Sequence, residues 1–274
     1  MKHRPEQPVV LLTGAASGIG QHFVSAQRGR FRFIATDLDE QQLQDQFGSE
    51  SADFLPCALD VCQAAHWERA IAAGQRKFGR LDYVINNAGI LSPAFVLDAG
   101  AHHVEQHLDV NAKGVMLGTT LAAQAMKAQG SGGHIINLAS LAGIAPVPGL
   151  AYYTASKFAV RGFSLAAALE LRPHGIFVTA ICPDAVQTPM YDLQLGTPRE
   201  AALTFSGPLR PLSVADVERA ILRAMKKKPL EMILPASRGW LAKTAAALPR
   251  LSAWLHRSLE QKGLKNVEKI KTRR

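Results

Sequence analysis

Cysteine, aromatic residues and long apolar runs are scarce in this chain, and each scarcity excludes something. Three cysteines, Cys57, Cys62 and Cys182, are an odd number, lie in or beside apolar runs and lack paired ligand spacing. They exclude a disulfide framework and a cysteine-bound zinc, and they favour buried thiols in a reducing compartment. No stretch approaches the length of a spanning helix, and residues 1–8 carry charge without the apolar centre of a signal peptide. A soluble, cytoplasmic protein is therefore expected. His22, His66, His102, His103, His107 and His134 form no ligand set with neighbouring acids, so no metal is expected either. The charge is unevenly spread along the chain. Residues 236–274 hold ten Lys/Arg against two Asp/Glu, whereas the preceding residues hold 21 against 20. The net charge of +9 is thus a property of the tail, and with no recognition motif beside it the charge makes no case for nucleic acid.

What is present is apolar material in a regular order. At 274 residues and 47% hydrophobic composition the chain suits one large domain with a substantial core. Strand-like runs fall at 9–13, 31–36, 53–59, 81–86, 134–138, 176–181 and 231–234. Helical patterns lie between them at 19–28, 40–47, 64–78, 103–129 with an irregularity near Asn111, 153–172 and 214–225. Such alternation predicts an α/β fold, a single doubly wound parallel sheet of the Rossmann type with helices on both faces.

Two local patterns carry chemistry. The run Val9-Val10-Leu11-Leu12 leads directly into Thr13-Gly14-Ala15-Ala16-Ser17-Gly18-Ile19-Gly20, which opens a helix. Glycines there permit a tight turn, let the backbone approach a pyrophosphate and aim helix N-terminal N–H groups at its charge. Further on, Tyr153 and Lys157 stand four apart in a helical pattern and share a face. A phenol is a poor base at neutral pH, and an ammonium beside it is expected to pull its titration toward the working range. Ser140, thirteen residues upstream at the end of an apolar run, can supply a hydroxyl that orients a substrate oxygen.

Taken together, Thr13-Gly14-x-x-x-Gly18-x-Gly20, Asn86-Asn87-Ala88-Gly89, Asn111, Ser140, Tyr153 and Lys157, in that order, closely resemble the short-chain dehydrogenase/reductases of the classical type. The resemblance runs from about residue 8 to residue 234. It implies an enzyme that binds a nicotinamide dinucleotide and moves a hydride between it and an alcohol or carbonyl carbon. It assigns catalysis to Asn111, Ser140, Tyr153 and Lys157. In that scheme Tyr153 exchanges the hydroxyl proton, Lys157 lowers its pKa and binds the nicotinamide ribose, Ser140 holds the substrate oxygen and Asn111 stabilises a water that links Lys157 to solvent. The cofactor would be held by Gly14, Ser17, Gly18, Ile19 and Gly20, by Asp60 and Val61 beside the adenine, by Asn87, Ala88 and Gly89, and by Pro183, Val186 and Thr188 near the nicotinamide.

Asp37 ends the second strand, where its carboxylate can accept from the adenosine ribose hydroxyls and would repel a 2′-phosphate, so NAD is preferred to NADP. Asp184 stands where the family usually has glycine. A carboxylate so near the ring is expected to favour the oxidised, cationic nicotinamide, and Asp tolerates a left-handed backbone there. The segment 189–211 carries Met190, Tyr191, Leu193, Leu195, Leu203 and Phe205, and with Leu91, Val96, Ile144 and Val147 it suits a lipophilic secondary alcohol or ketone, such as a steroid-like, retinoid-like or long-chain compound.

Residues 1–235 are thus expected to form a dinucleotide-binding and catalytic domain, and 236–274 a basic amphipathic helical extension of it. Two short helices broken at Pro249 would fit the extension, with residues 262–274 solvated or frayed. The tail is expected to cover the active site, contact another subunit in a homo-oligomer (dimer or tetramer), or touch a membrane peripherally. The alternative function is a catalytically silent NAD-binding sensor or scaffold, membrane-associated through the tail.

Overall fold

Alternation along the first strand decides how the layers form. In the computed structural model, which describes residues 7–273 apart from the side chain of Leu251, strand β1 (Val9–Thr13) sends Val9 and Leu11 to one apolar cluster and Val10 and Leu12 to the other. Residues 1–6, part of the stretch read above for a signal peptide, and Arg274 lie outside the described residues. The other strands are β2 (Arg32–Asp37), β3 (Phe54–Ala58), β4 (Tyr83–Asn86), β5 (Gly133–Leu138), β6 (Ile176–Pro183) and β7 (Glu231–Leu234). All pair in parallel in the order β3-β2-β1-β4-β5-β6-β7.

Helices supply the two outer layers. Helices α3 (Ala64–Phe78), α5 (Gly114–Gln129) and α6 (Ala151–Leu171) bury Trp67, Met126 and Ala167 against one face. Helices α1 (Gly18–Gln27), α2 (Glu40–Phe47) and α8 (Val214–Lys227) bury Phe23, Leu43 and Val217 against the other. The doubly wound expectation is borne out. The strand order reverses between β1 and β4, so the crevice at their carboxyl ends is where such a sheet receives a ligand.

The long helix expected over 103–129 is divided. A short helix α4 (Ala101–Gln106) passes into a π-helical turn, His107–Lys113, which continues as α5. Asn111 lies inside that turn, fully buried, and π-turns of this kind commonly mark functional sites.

Beyond β7 the chain forms α9 (Ala236–Ala247) and, after a break at Leu248, α10 (Pro249–Thr272). The break at Pro249 is as expected, but α10 is long and its end is not frayed. Val267 is buried with Tyr191, Leu195, Ala201 and Phe205, and Asn266 Nδ2 donates to the Phe205 carbonyl at 2.8 Å. Gly263 permits this docking, since a Cβ there would lie 1.8 Å from the Ala202 carbonyl oxygen. One buried apolar residue per few turns escapes a pattern search dominated by lysine, yet it anchors the helix on the segment that follows α7 (Pro189–Gly196).

Candidate active site

Two turns meet at the carboxyl end of the central strands. Gly14 and Gly18 have left-handed φ values of +68° and +53°, and a Cβ on Gly20 would stand 2.1 Å from the Gly14 carbonyl oxygen. Only glycine permits that close turn onto the first residues of α1. Ser17 occupies the N-cap of α1 without a side-chain capping bond, which leaves the helix's first N–H groups directed at the crevice. The β4 turn is laced to this one: Thr13 Oγ1 accepts from Asn87 N at 3.1 Å and Ala88 N at 3.0 Å, and Asn87 Nδ2 donates to the Thr13 carbonyl at 2.9 Å. A cradle built of backbone N–H groups with no side chain filling it fits a pyrophosphate.

Asp37 lies beside the cradle. Its Oδ2 accepts from Ala16 N at 2.9 Å and its Oδ1 from Leu38 N at 2.8 Å. It does not cap α2, a task performed by Asp39 toward Gln41 N and Gln42 N. Asp60 accepts from Cys62 N at 2.9 Å just past β3, while Val61 is turned into the core, where a Cβ on Gly114 would meet its Cγ2 at 2.7 Å.

Across the crevice, α6 presents Tyr153 and Lys157 from consecutive turns, both nearly fully buried. Burial pushes the Tyr153 phenol up to about 12, opposed by a hydrogen bond from Ser140. Burial also lowers the Lys157 ammonium to about 8, partly offset by Cys182. Lys157 Nζ donates to the Leu138 carbonyl at 2.9 Å and lies 5.6 Å from the Tyr153 ring centroid. Desolvation thus opposes the lowering expected from Lys157, whose ammonium is bonded to the Leu138 carbonyl. Ser140 also caps the short turn Leu141–Gly143, its Oγ accepting from Ala142 N at 3.1 Å.

Asn111 clasps Ile90, accepting from its N–H at 2.8 Å and donating to its carbonyl at 2.9 Å, and its Nδ2 also donates to Ser156 Oγ at 3.1 Å. The side chain is thus committed to joining the β4 loop to α6.

Ser140, Tyr153 and Lys157 share a cavity of about 550 Å³ with Ile19, Asn87, Gly89, Pro183, Val186 and Thr188. Gly14, Ser17, Gly18, Gly20, Asp37, Asp60, Val61, Ala88 and Asn111 do not line it; the glycine turn abuts it, since a Cβ on Gly18 would lie 3.3 Å from Thr188 Cγ2. Leu91, Val147, Met190, Tyr191 and Leu203 add apolar wall. Five other residues expected there are placed elsewhere. Val96 and Leu193 are exposed, while Leu195 and Phe205 pack with Val267 under α10. Ile144 belongs to a separate core cluster.

A family profile described as short chain dehydrogenase matches residues 8–195. The chain belongs to the short-chain dehydrogenase family. A 3-alpha-(or 20-beta)-hydroxysteroid dehydrogenase of Mycobacterium tuberculosis (strain ATCC 25618 / H37Rv) is 40% identical to this dehydrogenase over 187 residues, 67% of this chain and 71% of that protein. A cyclopentanol dehydrogenase of Comamonas testosteroni is 33% identical over 229 residues, 80% of this chain and 90% of that one. Among solved structures, a 3-ketoacyl-(acyl-carrier-protein) reductase from Brucella melitensis complexed with NADH superposes with a TM-score of 0.73 at 27% identity, covering 85% of this chain and 99% of that one.

The tail of this dehydrogenase covers the cavity, one of the places expected for it, but which of its residues line the cavity was missed. Leu241, Ala242 and Ala245 of α9 and Ser252, His256 and Leu259 of α10 line it. Their spacing of three and four was the available signal, obscured by an equally regular exposed face. Arg238 of α9 was also missed. Its Nε donates to Asp184 Oδ2 at 2.8 Å, both side chains being largely buried. Asp184 needs no left-handed backbone, because Lys228 is the one non-glycine with positive φ among the described residues.

Proposed function

We propose that this dehydrogenase is an NAD-dependent oxidoreductase that transfers a hydride between nicotinamide and a lipophilic cyclic secondary alcohol or its ketone, with Tyr153 as general acid and base. The observation that carries the reading is the Tyr153 phenol, hydrogen-bonded by Ser140, at a wall of an otherwise mostly apolar cavity beside the glycine cradle. Relatives named for hydroxysteroids and cyclopentanol support the substrate class.

When bound, the nicotinamide supplies the hydride acceptor or donor. Gly14, Ser17, Gly18, Ile19 and Gly20 would hold its pyrophosphate, Asp37 its adenosine ribose, and Asn87, Ala88, Gly89, Pro183, Val186 and Thr188 the nicotinamide half. Asp60 and Val61 would border the adenine, Val61 through its backbone because its side chain is packed in the core. Ser140 orients the substrate oxygen toward the Tyr153 oxygen, which as phenolate takes the alcohol proton in oxidation and as phenol donates its proton in reduction. Lys157, anchored on Leu138, keeps a positive charge under the phenol, and Asn111 positions α6 against the β4 loop. Residues 1–235 act as the dinucleotide-binding and catalytic domain and 236–274 as its extension. Exposed Leu108, Phe158 and Leu169 on the π-turn and α6 suit a homo-oligomer paired through those helices.

NADH formation from NAD⁺ with a panel of hydroxysteroids and cycloalkanols, followed by absorbance, tests the function. Turnover of at least one cyclic secondary alcohol is expected, and cofactor binding without turnover of any would instead identify a silent sensor or scaffold.

The ion pair changes what Asp184 does. Its charge is met by Arg238, so the native protein should show little of the preference for oxidised cofactor that an isolated carboxylate would create. Arg238→Gln should uncover that preference, shifting the ratio of NADH to NAD⁺ dissociation constants by about 3- to 10-fold toward NAD⁺. Calorimetric titration of both cofactors reads it, and an unchanged ratio would show that Asp184 does not sense the ring.

A further inference from the structure

Each helix of the C-terminal hairpin turns one side to the cavity, marked by Leu241, Ala242 and Ala245 on α9 and by Ser252, His256 and Leu259 on α10. At about 100° per residue, Trp240 and Trp254 project from the opposite sides of those helices. Both indoles stand in solvent, 79% and 77% exposed, and Leu248 and Leu255 are also exposed in the hairpin. Large apolar side chains gathered this way mark an interaction surface.

The charge around them is mainly positive and mostly uncommitted, Glu260 and Glu268 being the only acids of α10. Arg250, Arg257, Lys262, Lys265 and Lys269 form no ion pair with any described residue, whereas Arg238 and Lys243 are tied to Asp184 and Glu231. Arg250, Trp254 and Arg257 recur at steps of four and three, which places an indole between two free guanidiniums on one helical stripe. A second copy of this face would bring cation against cation, so isologous pairing through it is opposed. A nucleic acid would use the cations but not the leucines.

We propose that the outer face of the α9–α10 hairpin docks on an anionic lipid surface, with Trp240 and Trp254 in the headgroup layer and the free cations against acidic lipids. Indole is amphipathic and favours that layer, and lysines and arginines are drawn to the negative potential of anionic lipid. Among the described residues no helix is long and apolar enough to cross a membrane, so the hairpin lies on the surface rather than spanning it. Because the same two helices roof the cavity, docking sets that roof against a store of lipophilic molecules. This consequence rests on the substrate reading above; the docking does not.

The full chain reports its own binding, since Trp67 is completely buried and the other two of its three tryptophans are Trp240 and Trp254. With vesicles of roughly three parts phosphatidylcholine to one of phosphatidylserine, sedimentation of the protein and a blue shift of tryptophan emission are expected. Both should vanish with pure phosphatidylcholine and at about 0.5 M NaCl. The double variants Trp240→Ala/Trp254→Ala and Arg250→Glu/Arg257→Glu should each lower the bound fraction by about tenfold or more. Lipids brominated near the headgroup should quench the wild-type emission, which tests the contact without any substitution. No sedimentation with anionic vesicles, equal binding to neutral ones, or variants that bind like the native chain would overturn the proposal. So would a blue shift that grows with protein concentration without lipid, since that is self-association. None of these readouts requires turnover, so their failure is separate from failure of the catalytic reading.

Discussion

Tyr153→Phe is expected to lower turnover by about 10²-fold or more while cofactor affinity stays within about threefold of the native value. The substitution removes one oxygen and leaves the packing intact: the ring belongs to a cluster with Leu91, Ala142 and Leu150 and meets the His107 ring edge-on at 6.3 Å. Lys157 keeps its bond to the Leu138 carbonyl, so the variant should fold and bind. The direction of the pKa shift adds a second signature. With the phenol pushed up to about 12 before cofactor binds, Tyr153 is protonated at neutral pH, ready to donate in ketone reduction and needing to lose its proton for alcohol oxidation. Oxidation by the native enzyme should accordingly rise with pH, while the residual rate of the phenylalanine variant should lose that rise. Single-turnover kinetics with fluorescence titration of NADH separates binding from chemistry. Native-like turnover in the variant would remove Tyr153 from the mechanism.

The second large effect concerns which dinucleotide is used. Asp37 is held by Ala16 N and Leu38 N, so its carboxylate is fixed beside the glycine cradle and can offer only acceptors. A ribose diol satisfies it, and a phosphate dianion does not. Leu38, the next residue, is 73% exposed and can be replaced without loss of core packing. Asp37→Ala/Leu38→Arg should therefore change the ratio of kcat/KM for NAD to that for NADP by about 10³-fold or more in favour of NADP, since it removes a repulsion and supplies a fork of donors. The measurement is initial rates with each cofactor on one alcohol. A ratio unmoved by the pair would mean that the end of β2 does not touch the ribose.

Much of the site was legible because it is local. The glycines at 14, 18 and 20 serve a turn whose steric demand involves its own residues, with Gly20 facing the Gly14 carbonyl. Tyr153 and Lys157 meet because they are one helical turn apart. The irregularity near Asn111 was also visible, though the bonds of its side chain to Ile90 and Ser156 were not, as they join residues 21 and 45 positions away. Leu195 and Phe205 were placed wrongly for a related reason. They are apolar residues in an apolar segment, and only the arrival of Val267 decides that they face α10 rather than substrate.

From the amino-acid order alone came the parallel sheet, through the alternation of strand-like runs with helical patterns, and the glycine cradle, the Tyr–Lys pair and the break at Pro249, whose causes act within a few residues: glycine backbone freedom, helical spacing and the lost N–H of proline. Tertiary packing alone decided which of the places open to the tail α9 and α10 take, that Arg238 neutralises Asp184 across 54 residues of sequence, and that burial opposes loss of the Tyr153 proton. Those outcomes depend on which side of a distant helix meets the sheet and on how much water is left around a charge, and neither quantity is written in any short stretch of chain.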